Sequence, residues 1–555
     1  MSVLLSEHLP LLATAPDGIR KLRGLILELA VRGKLVPQDP KDEPASELLK
    51  RIAQERARLE AEGTCKKSKT TPLDAEDAPP FELPVGWVLS QLSDLALVLN
   101  GRAYSKDELL SEGVPVLRVG NLFTSNHWYY SNLQLEADKY CDKGDLLYSW
   151  SASFGPFIWQ GPKVIYHYHI WKLRLFDESS LSKEFFYKFL LEKTAEIKAA
   201  GHGVSMIHMT KEKMEKILVP VPPLAEQHRI VAKVDELMAL CDRLEAEQTD
   251  AETAHARLVE TLLGTLTQST DAADLAANWQ RLANHFDTLF TTESSLDALK
   301  QTILQLAVMG KLVPQDPKDE PTSELLNRIA KERARLEAEG ICKKSKPLPS
   351  VREDELSFVA PRGWSWCRLQ SAFDVRDGTH DSPKFLPKGI PFLTSKNIYG
   401  GKLDLTDLKF ISESDHLEFS KRSKVDRDDI LFAMIGSIGN PVIVDTDLVF
   451  SFKNMALFKY FSRTLSSPEY LRIFLAVIAS EMRAKAAGGV QSFVSLGTIR
   501  SQPIALPPLS EQHRIVAKVD ELMALCDALK ADLAESRARQ ARLSATLIES
   551  ALAAA

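Results

Sequence analysis

The most regular hydrophobic pattern in the chain begins at Ile230. Apolar positions fall at Ile230, Val234, Leu237, Cys241 and Leu244, stepping by four, three, four and three. The series runs on through Gln248, Ala251, His255, Leu258 and Leu262. A period near 3.5 predicts a long helix with one narrow stripe of the kind that pairs with another helix. The same pattern returns at Ile515, Val519, Leu522, Cys526 and Leu529, and continues through Leu533, Ser536, Gln540, Leu543 and Leu547. Pro222-Pro223 and Pro507-Pro508 precede the two stripes, and proline is tolerated at a helix start. Each helix should run about 40 residues, or roughly 60 Å. An antiparallel pairing of the two would relate the halves of the chain by a pseudo-twofold axis and act as a spacer. Shorter helices are predicted at Ile19, Leu22, Ile26 and Leu29, stopped by Gly33, and at Leu48, Leu49, Ile52 and Leu59, stopped by Gly63.

These helical stretches are copies. Residues 222–242 and 507–527 differ only at Ala225 against Ser510. Residues 30–69 and 307–346 agree at 35 of 40 positions by direct count. A fainter match extends upstream, where Leu5, Leu9 and Leu12 fall on Leu282, Phe286 and Leu289. The chain is therefore a tandem duplication of whole domains, with a period far beyond that of a solenoid.

The stretches between the copies, 81–221 and 347–506, follow a different rule. Both open alike, with "FELPVGWVLSQLSDLA" and "FVAPRGWSWCRLQSAF", and Trp87 and Trp364 read as core residues. Short β-rich runs punctuated by Gly and Pro follow, and each stretch ends in a helical segment, 182–201 and 467–489. Their loops have diverged almost entirely. Matching helices offer two equivalent surfaces, and unlike domains offer two different reading surfaces.

Composition narrows the class. At 555 residues several domains are expected. No apolar run approaches the ~18 residues of a membrane span. The N-terminus lacks a basic flank and places Glu7 and His8 within its apolar part, so a cytoplasmic protein is expected. The six cysteines form no Cys-x-x-Cys pair and no zinc spacing, so free thiols and no metal are expected. The net charge of −6 means that any nucleic-acid surface is a local patch. Residues 356–506 carry 19 Lys+Arg against 15 Asp+Glu, a net of +4; residues 81–221 carry 15 against 16, a net of −1.

The chain resembles the specificity subunit of type I restriction–modification enzymes. The resemblance rests on the duplication, on "PPLAEQ" and "PPLSEQ" opening the long helices, and on "DGTHDSPKFLPKGIPFLTSKNI" (377–398), "DDILFAMIGSIGN" (428–440) and "GVPVLRVGNL" (113–122). It implies an α+β chain with two target-recognition domains separated by an antiparallel coiled-coil spacer. The expected boundaries are a helical region at 1–80, a first recognition domain at 81–221 and a central long helix at 222–266. A linker and second helical region at 267–346, a second recognition domain at 347–506 and a C-terminal long helix at 507–555 complete it. It also implies binding to double-stranded DNA at a split, asymmetric site, each domain reading one half. Two methyltransferase subunits would dock on the helices, and two restriction subunits would join them. S-adenosylmethionine, ATP and magnesium would belong to those partners, with none bound by this chain.

The residues agree that the chain itself does no chemistry. The nearest string to an adenine methyltransferase's Asn/Asp-Pro-Pro-aromatic loop is Ala78-Pro79-Pro80-Phe81, which lacks the polar acceptor. No Gly-x-x-x-x-Gly-Lys-Ser/Thr phosphate loop is present. Two other classes fit the duplication: a bivalent protein–protein scaffold, and the specificity chain of a related system that cuts on both sides of its site.

For DNA contact the second domain offers Arg376, Thr379, His380 and Lys384, then Thr394, Ser395, Lys396 and Asn397. The first offers Arg102, Tyr104 and Lys106, then Arg118 and Asn121, with Asn126 in "NHWYY" (126–130). Polar donors on loops reach base edges, and Lys, Ser and Thr hold phosphates. The glycine-rich turns at 149–155 and 434–440 are expected to let backbone approach a duplex.

Overall fold

The computed structural model of the chain describes residues 12–65, 81–151, 153–200, 209–344, 346–379, 383–486 and 493–553. It divides into two units, Met1–Ala251 with Ser536–Ala555, and Glu252–Glu535. The upstream matches at Leu5 and Leu9, and the string beginning at Ala78, lie outside the described residues.

The first unit opens with helices α1 (Gly18–Val31) and α2 (Ala45–Ala61). Each ends as its sequence predicts. Beyond α1, Gly33 takes φ +69° and the Lys34 amide reaches back to the Leu29 carbonyl at 2.9 Å. Beyond α2, Gly63 takes φ +73° and the Thr64 amide reaches the Leu59 carbonyl at 2.9 Å. Both are left-handed glycine stops that satisfy a carbonyl the helix leaves open. Gly33 has a second constraint, since a Cβ there would lie 2.8 Å from the Trp87 ring.

The recognition domain of this unit hangs on a two-stranded clasp. Strand β1 (Val88–Gln91) pairs antiparallel with β10 (Leu218–Val221), Val88 facing Val221. Between them lie two four-stranded sheets. One has the order β2-β9-β6-β7, from β2 (Ala96–Asn100), β6 (Leu146–Ser149), β7 (Gly155–Ile158) and β9 (Ile170–Leu175). The other has the order β4-β3-β8-β5, from β3 (Val114–Leu117), β4 (Tyr129–Ser131), β5 (Tyr140–Cys141) and β8 (Val164–Tyr166). In it β3 and β8 run parallel. Leu117, Cys141, Leu147, Val164, Tyr166 and Ile170 form a core shared by the two sheets. Helix α3 (Lys183–Ala200) follows, and the long helix α4 (Leu224–Gln268) leaves directly from the clasp.

The second unit repeats the plan. Helix α5 (Ala272–Asn284) leads to α6 (Glu293–Val308) and α7 (Thr322–Ala338). The clasp is β11 (Ser365–Arg368) with β21 (Pro503–Leu506). One sheet has the order β12-β20-β17-β18, from β12 (Phe373–Asp377), β17 (Ile430–Ala433), β18 (Gly439–Ile443) and β20 (Met455–Tyr460). The other has the order β16-β13-β19, from β13 (Ile390–Leu393), β16 (Lys409–Ile411) and β19 (Ser451–Phe452), again with one parallel pair, β13 and β19. A small hairpin, β14 (Ile398–Tyr399) and β15 (Lys402–Leu403), and helix α8 (Glu413–Ser423) are inserted among the strands. Helix α9 (Pro468–Ala486) and the long helix α10 (Leu509–Ala553) close the unit.

The copied segments bind one another inside each unit. Glu226, only 1% exposed, accepts from the Trp87 indole and from the Gln38 amide, each at 3.0 Å. Its neighbour Gln227 accepts from the Ser182 amide at 2.7 Å and donates to the Pro222 carbonyl at 2.9 Å. Arg229 joins Asp42 at 2.6 Å. In the second unit Glu511 accepts from Trp364 at 3.0 Å and Gln315 at 3.1 Å, Gln512 donates to Pro507 at 2.9 Å, and Arg514 joins Asp319 at 2.7 Å. Burial pushes the Glu226 and Glu511 carboxyls up from their ordinary range, and the donated hydrogen bonds oppose it. So the Glu and Arg after each proline pair latch the long helix to the "VPQDPKD" segment, and the Gln between them fixes the proline-led entry of the helix.

The stripe on each long helix is occupied first within its own unit. Ile230, Val234 and Cys241 are buried in one core with Leu22, Ile26 and Leu29, and Leu237 and Leu244 pack against it. Arg23 of α1 reaches Asp242 at 2.6 Å and Glu245 at 2.7 Å. Ile515, Val519 and Cys526 are likewise buried with Leu296, Leu299 and Ile303, with Leu522 against them. Leu529, expected on the stripe, is 36% exposed.

Toward the far ends the buried face moves on by one residue. Leu258 and Leu543 are each 51% exposed. Val259, Leu263 and Leu266 are buried in the second unit's core, with Leu262 of the expected stripe packed against it, and Leu547 of the expected stripe packs with Ile548 and Leu552 on the first unit's core. A straight helix of 3.6 residues per turn drifts by about 20° per heptad from a 3.5 repeat, which accounts for the shift. Trp87 and Trp364 are core residues as predicted, 6% and 7% exposed. All six cysteines are free. Among the described residues no helix is long and apolar enough to cross a membrane.

Candidate nucleic-acid interface

In each recognition domain one candidate loop leaves the first strand of the parallel pair and another leaves β2 or β12, so residues distant in sequence meet. In the first unit the chain leaves β3 at Arg118 and leaves β8 at His167. Arg118, Asn121, His127, Tyr129, His167 and His169 line an open cleft of about 410 Å³. The exposed Arg118 guanidinium sits 5.2 Å from the centre of the Tyr129 ring. His127 meets Tyr129 edge-on at 4.7 Å. Burial, reinforced by His169 and Arg118, lowers the His167 pKa to about 4. That imidazole is therefore neutral near pH 7, with one nitrogen to donate and one to accept. Tyr168 beside it is 40% exposed, and Trp150 holds its carbonyl at 2.9 Å.

Arg102 and Tyr104 reach the same cluster from β2. Arg102 pairs through its backbone with His167 and through its side chain with Glu108 at 2.6 Å. The Tyr104 ring stacks on His167 at 6.4 Å. Arg102 Nη1 and the Tyr104 hydroxyl are both buried without a hydrogen-bond partner among the described residues. Lys106 and Asn126 are exposed. Asn121 has a different task. Its Oδ1 accepts from the Arg118 amide at 3.1 Å and its Nδ2 donates to the His127 carbonyl at 2.8 Å. The side chain braces the loop and leaves little to offer a base.

The second unit uses the same device. Asn397, 8% exposed, accepts from the Thr394 amide at 2.9 Å and donates to the Asp404 carbonyl at 3.1 Å. Thr394 also turns its hydroxyl to Asn397 at 3.3 Å. Thr379 is 8% exposed, and its amide donates to the Phe452 carbonyl at 3.2 Å. Ser395 is half-buried, and Lys384 and Lys396 are exposed. Arg376 pairs with Asp374 at 2.6 Å. His380 lies outside the described residues. Two roles thus separate: Arg118, Lys384 and Lys396 face solvent, while Asn121, Asn397 and Thr379 are consumed in holding the loops.

The glycine-rich turns meet protein. A Cβ on Gly439 would lie 2.6 Å from Ala479 of α9, and Arg483 donates to the Ile438 carbonyl at 2.8 Å. The first unit's turn is tied by Lys198 of α3 to the Phe154 carbonyl at 3.0 Å. Gly439 is thus closed off by a helix, whereas a Cβ on Gly155 or Gly436 would meet nothing within 4 Å.

The family model for the type I restriction modification DNA specificity domain matches residues 84–252 and 361–536. The chain belongs to this family of DNA specificity subunits. It is 38% identical to the type I restriction enzyme EcoAI specificity subunit of Escherichia coli, over 96% of this chain and 94% of that one. It is equally 38% identical to the EcoEI specificity subunit of the same species, with the same coverage. The crystal structure of the HsdS subunit from Thermoanaerobacter tengcongensis aligns at 18% identity over 85% of this chain and 97% of its own, with a TM-score of 0.39.

Within a DNA specificity subunit, further groups at these strand ends carry little local signal in the sequence. His167, Tyr168 and His169 form an alternating aromatic run, and they contact the Arg118 loop only because β8 lies beside β3. Tyr399 is 79% exposed at the end of β14, next to Gly400 and Gly401 with φ +59° and +77°. Gly-Gly between two short apolar runs is a hairpin signal, and it could have flagged this tip. Asn397→Ala should cost about 2 kcal/mol, by orphaning one amide and one carbonyl. Hydrogen exchange over 394–407 should speed up in that variant, while exchange in the first unit stays unchanged.

Proposed function

We propose that this specificity subunit directs a type I restriction–modification complex to a bipartite, asymmetric DNA site, each recognition domain reading one half. One observation carries the reading: the same stem and scaffold occur twice, with unlike loops at corresponding strand ends. In the first domain those ends present an Arg–His–Tyr cluster; in the second they present Lys384, Lys396 and the Tyr399 hairpin. The long helices set the unread gap between the half-sites. Their near-identical first turns, 224–242 and 509–527, offer two equivalent faces that dock two copies of the methyltransferase subunit, and two restriction subunits complete the assembly. S-adenosylmethionine, ATP and magnesium act in those partners. This chain contributes recognition and spacing and no reacting group.

Mapping methylated adenines across the genome of cells carrying the complex tests this. One split motif is expected, with a modified adenine in each half. A single uninterrupted motif would overturn the reading.

A further inference from the structure

The second recognition domain carries a basic cleft in which Arg376 is the one residue already named as a candidate DNA contact. It measures about 640 Å³ and lies between the segment after α7, the strand β12, the end of α8 and residues 496–500. Lys343, Lys344, Lys346, Arg376, Lys421 and Arg422 line it. Its three acids are already engaged: Glu337 with Arg333 at 2.9 Å, Asp374 with Arg376 at 2.6 Å, and Asp377 with Arg422. Lys343, Lys344 and Lys346 are exposed and have no acceptor among the described residues. Lys421 has only Glu418, itself exposed. The cleft therefore holds an excess of positive charge that no internal partner neutralises.

Its position gives that charge a use. Strand β12 ends at Asp377, and the candidate reading loop begins at the next residue. In the first domain the copied counterparts of the three lysines, Lys66, Lys67 and Lys69, lie outside the described residues. The fourth position of β2 is Leu99 where β12 has Arg376, and no counterpart of α8 is described there. Among the described residues, Arg376 and the cations at the end of α8, Lys421 and Arg422, are the part of the cleft that is peculiar to the second domain.

We infer that this cleft is a phosphodiester-backbone site, gripping the DNA strand that flanks the half-site read by the second domain. The inference rests on the DNA-reading role proposed above and adds to it a second, sequence-independent contact. Lysine ammonium groups act here as point charges on phosphates. Each phosphate neutralised adds about 0.9 to the slope of log affinity against log salt.

The test uses the complete complex with its methyltransferase partner. Lys343→Ala/Lys344→Ala/Lys346→Ala is compared with the unaltered complex on a duplex bearing the modified site and on a scrambled duplex, between low and moderate salt. The salt slope should shrink by about two to three, and affinity near physiological salt should fall on the order of tenfold to a hundredfold. The ratio of modified-site to scrambled affinity should stay within about twofold. Phosphate-ethylation interference should disappear beside one half-site only. An unchanged slope, or loss of interference beside both half-sites, would overturn the inference. So would a small-anion site, seen as stabilisation of the unaltered complex by inorganic phosphate with no change of DNA slope in the variant. If the unaltered complex fails to prefer its modified site, the recognition role fails separately, because the slope on scrambled duplex still reports on the cleft.

Discussion

A chimaera whose residues 92–217 come from a relative of different specificity should methylate a motif changed in one half only. The second half and the length of the unread gap should stay as they were. The clasp explains why. The domain leaves the stem after β1 and returns at β10, four residue pairs in antiparallel register from Val88↔Val221 to Gln91↔Leu218. Whatever lies between is presented from one fixed base. The exchange must bring the same scaffold, because Val98, Leu146, Tyr148, Trp171 and Leu173 share a core with α1 and the start of α4. Methylated-adenine mapping of cells carrying the chimaera is the measurement. A motif altered in both halves would show that the two domains do not read independently.

Replacing Glu226 by alanine should destabilise the first unit by about 2 kcal/mol, since the buried donor Trp87 Nε1 loses its acceptor and Gln38 Nε2 is left with the Gly33 carbonyl alone. Arg229 and Asp42 lie next to the gap, and their ion pair loses its packing. Denaturant unfolding should show the loss as a lowered midpoint. Combining Trp87→Phe with Glu226→Ala should cost less than the two changes summed, because the second removes an acceptor that the first has already deprived of its indole donor. Strict additivity would show that the indole–carboxylate contact contributes nothing. Glu511→Ala should act in the same way on the second unit.

Periodicity was a sound guide to the elements of this chain and a poorer one to their neighbours. Both long helices and their proline-defined starts were legible, as were the glycine stops and the β-rich domains between. Repetition of "PPLAEQHR" read as a surface offered twice. Half of that segment faces inward, because Glu226, Gln227 and Arg229 contact groups far away in sequence, and no local pattern encodes that. The stripe read as a seam for another long helix, yet its first turns are filled by α1 and α6, whose own apolar periods were visible but whose partners were not. Exposed Arg118 could be picked from the sequence. Asn121 and Asn397 could not be told apart from readers, since an amide that braces a loop and one that meets a base are the same residue. His167 to His169 needed the parallel pairing of β3 with β8, a contact across some fifty residues.

The division of the long helices between the units bears on how the protein is made. Leu547, Ile548 and Leu552 pack on the first unit's core and are synthesised only after the whole of the second unit. At about 5–20 residues per second, a ribosome needs roughly a quarter of a minute to a minute between finishing Ala251 and beginning that tail. For that interval the nascent first half shows an uncovered apolar strip along its stem, so chaperone demand during translation should fall mainly on that half.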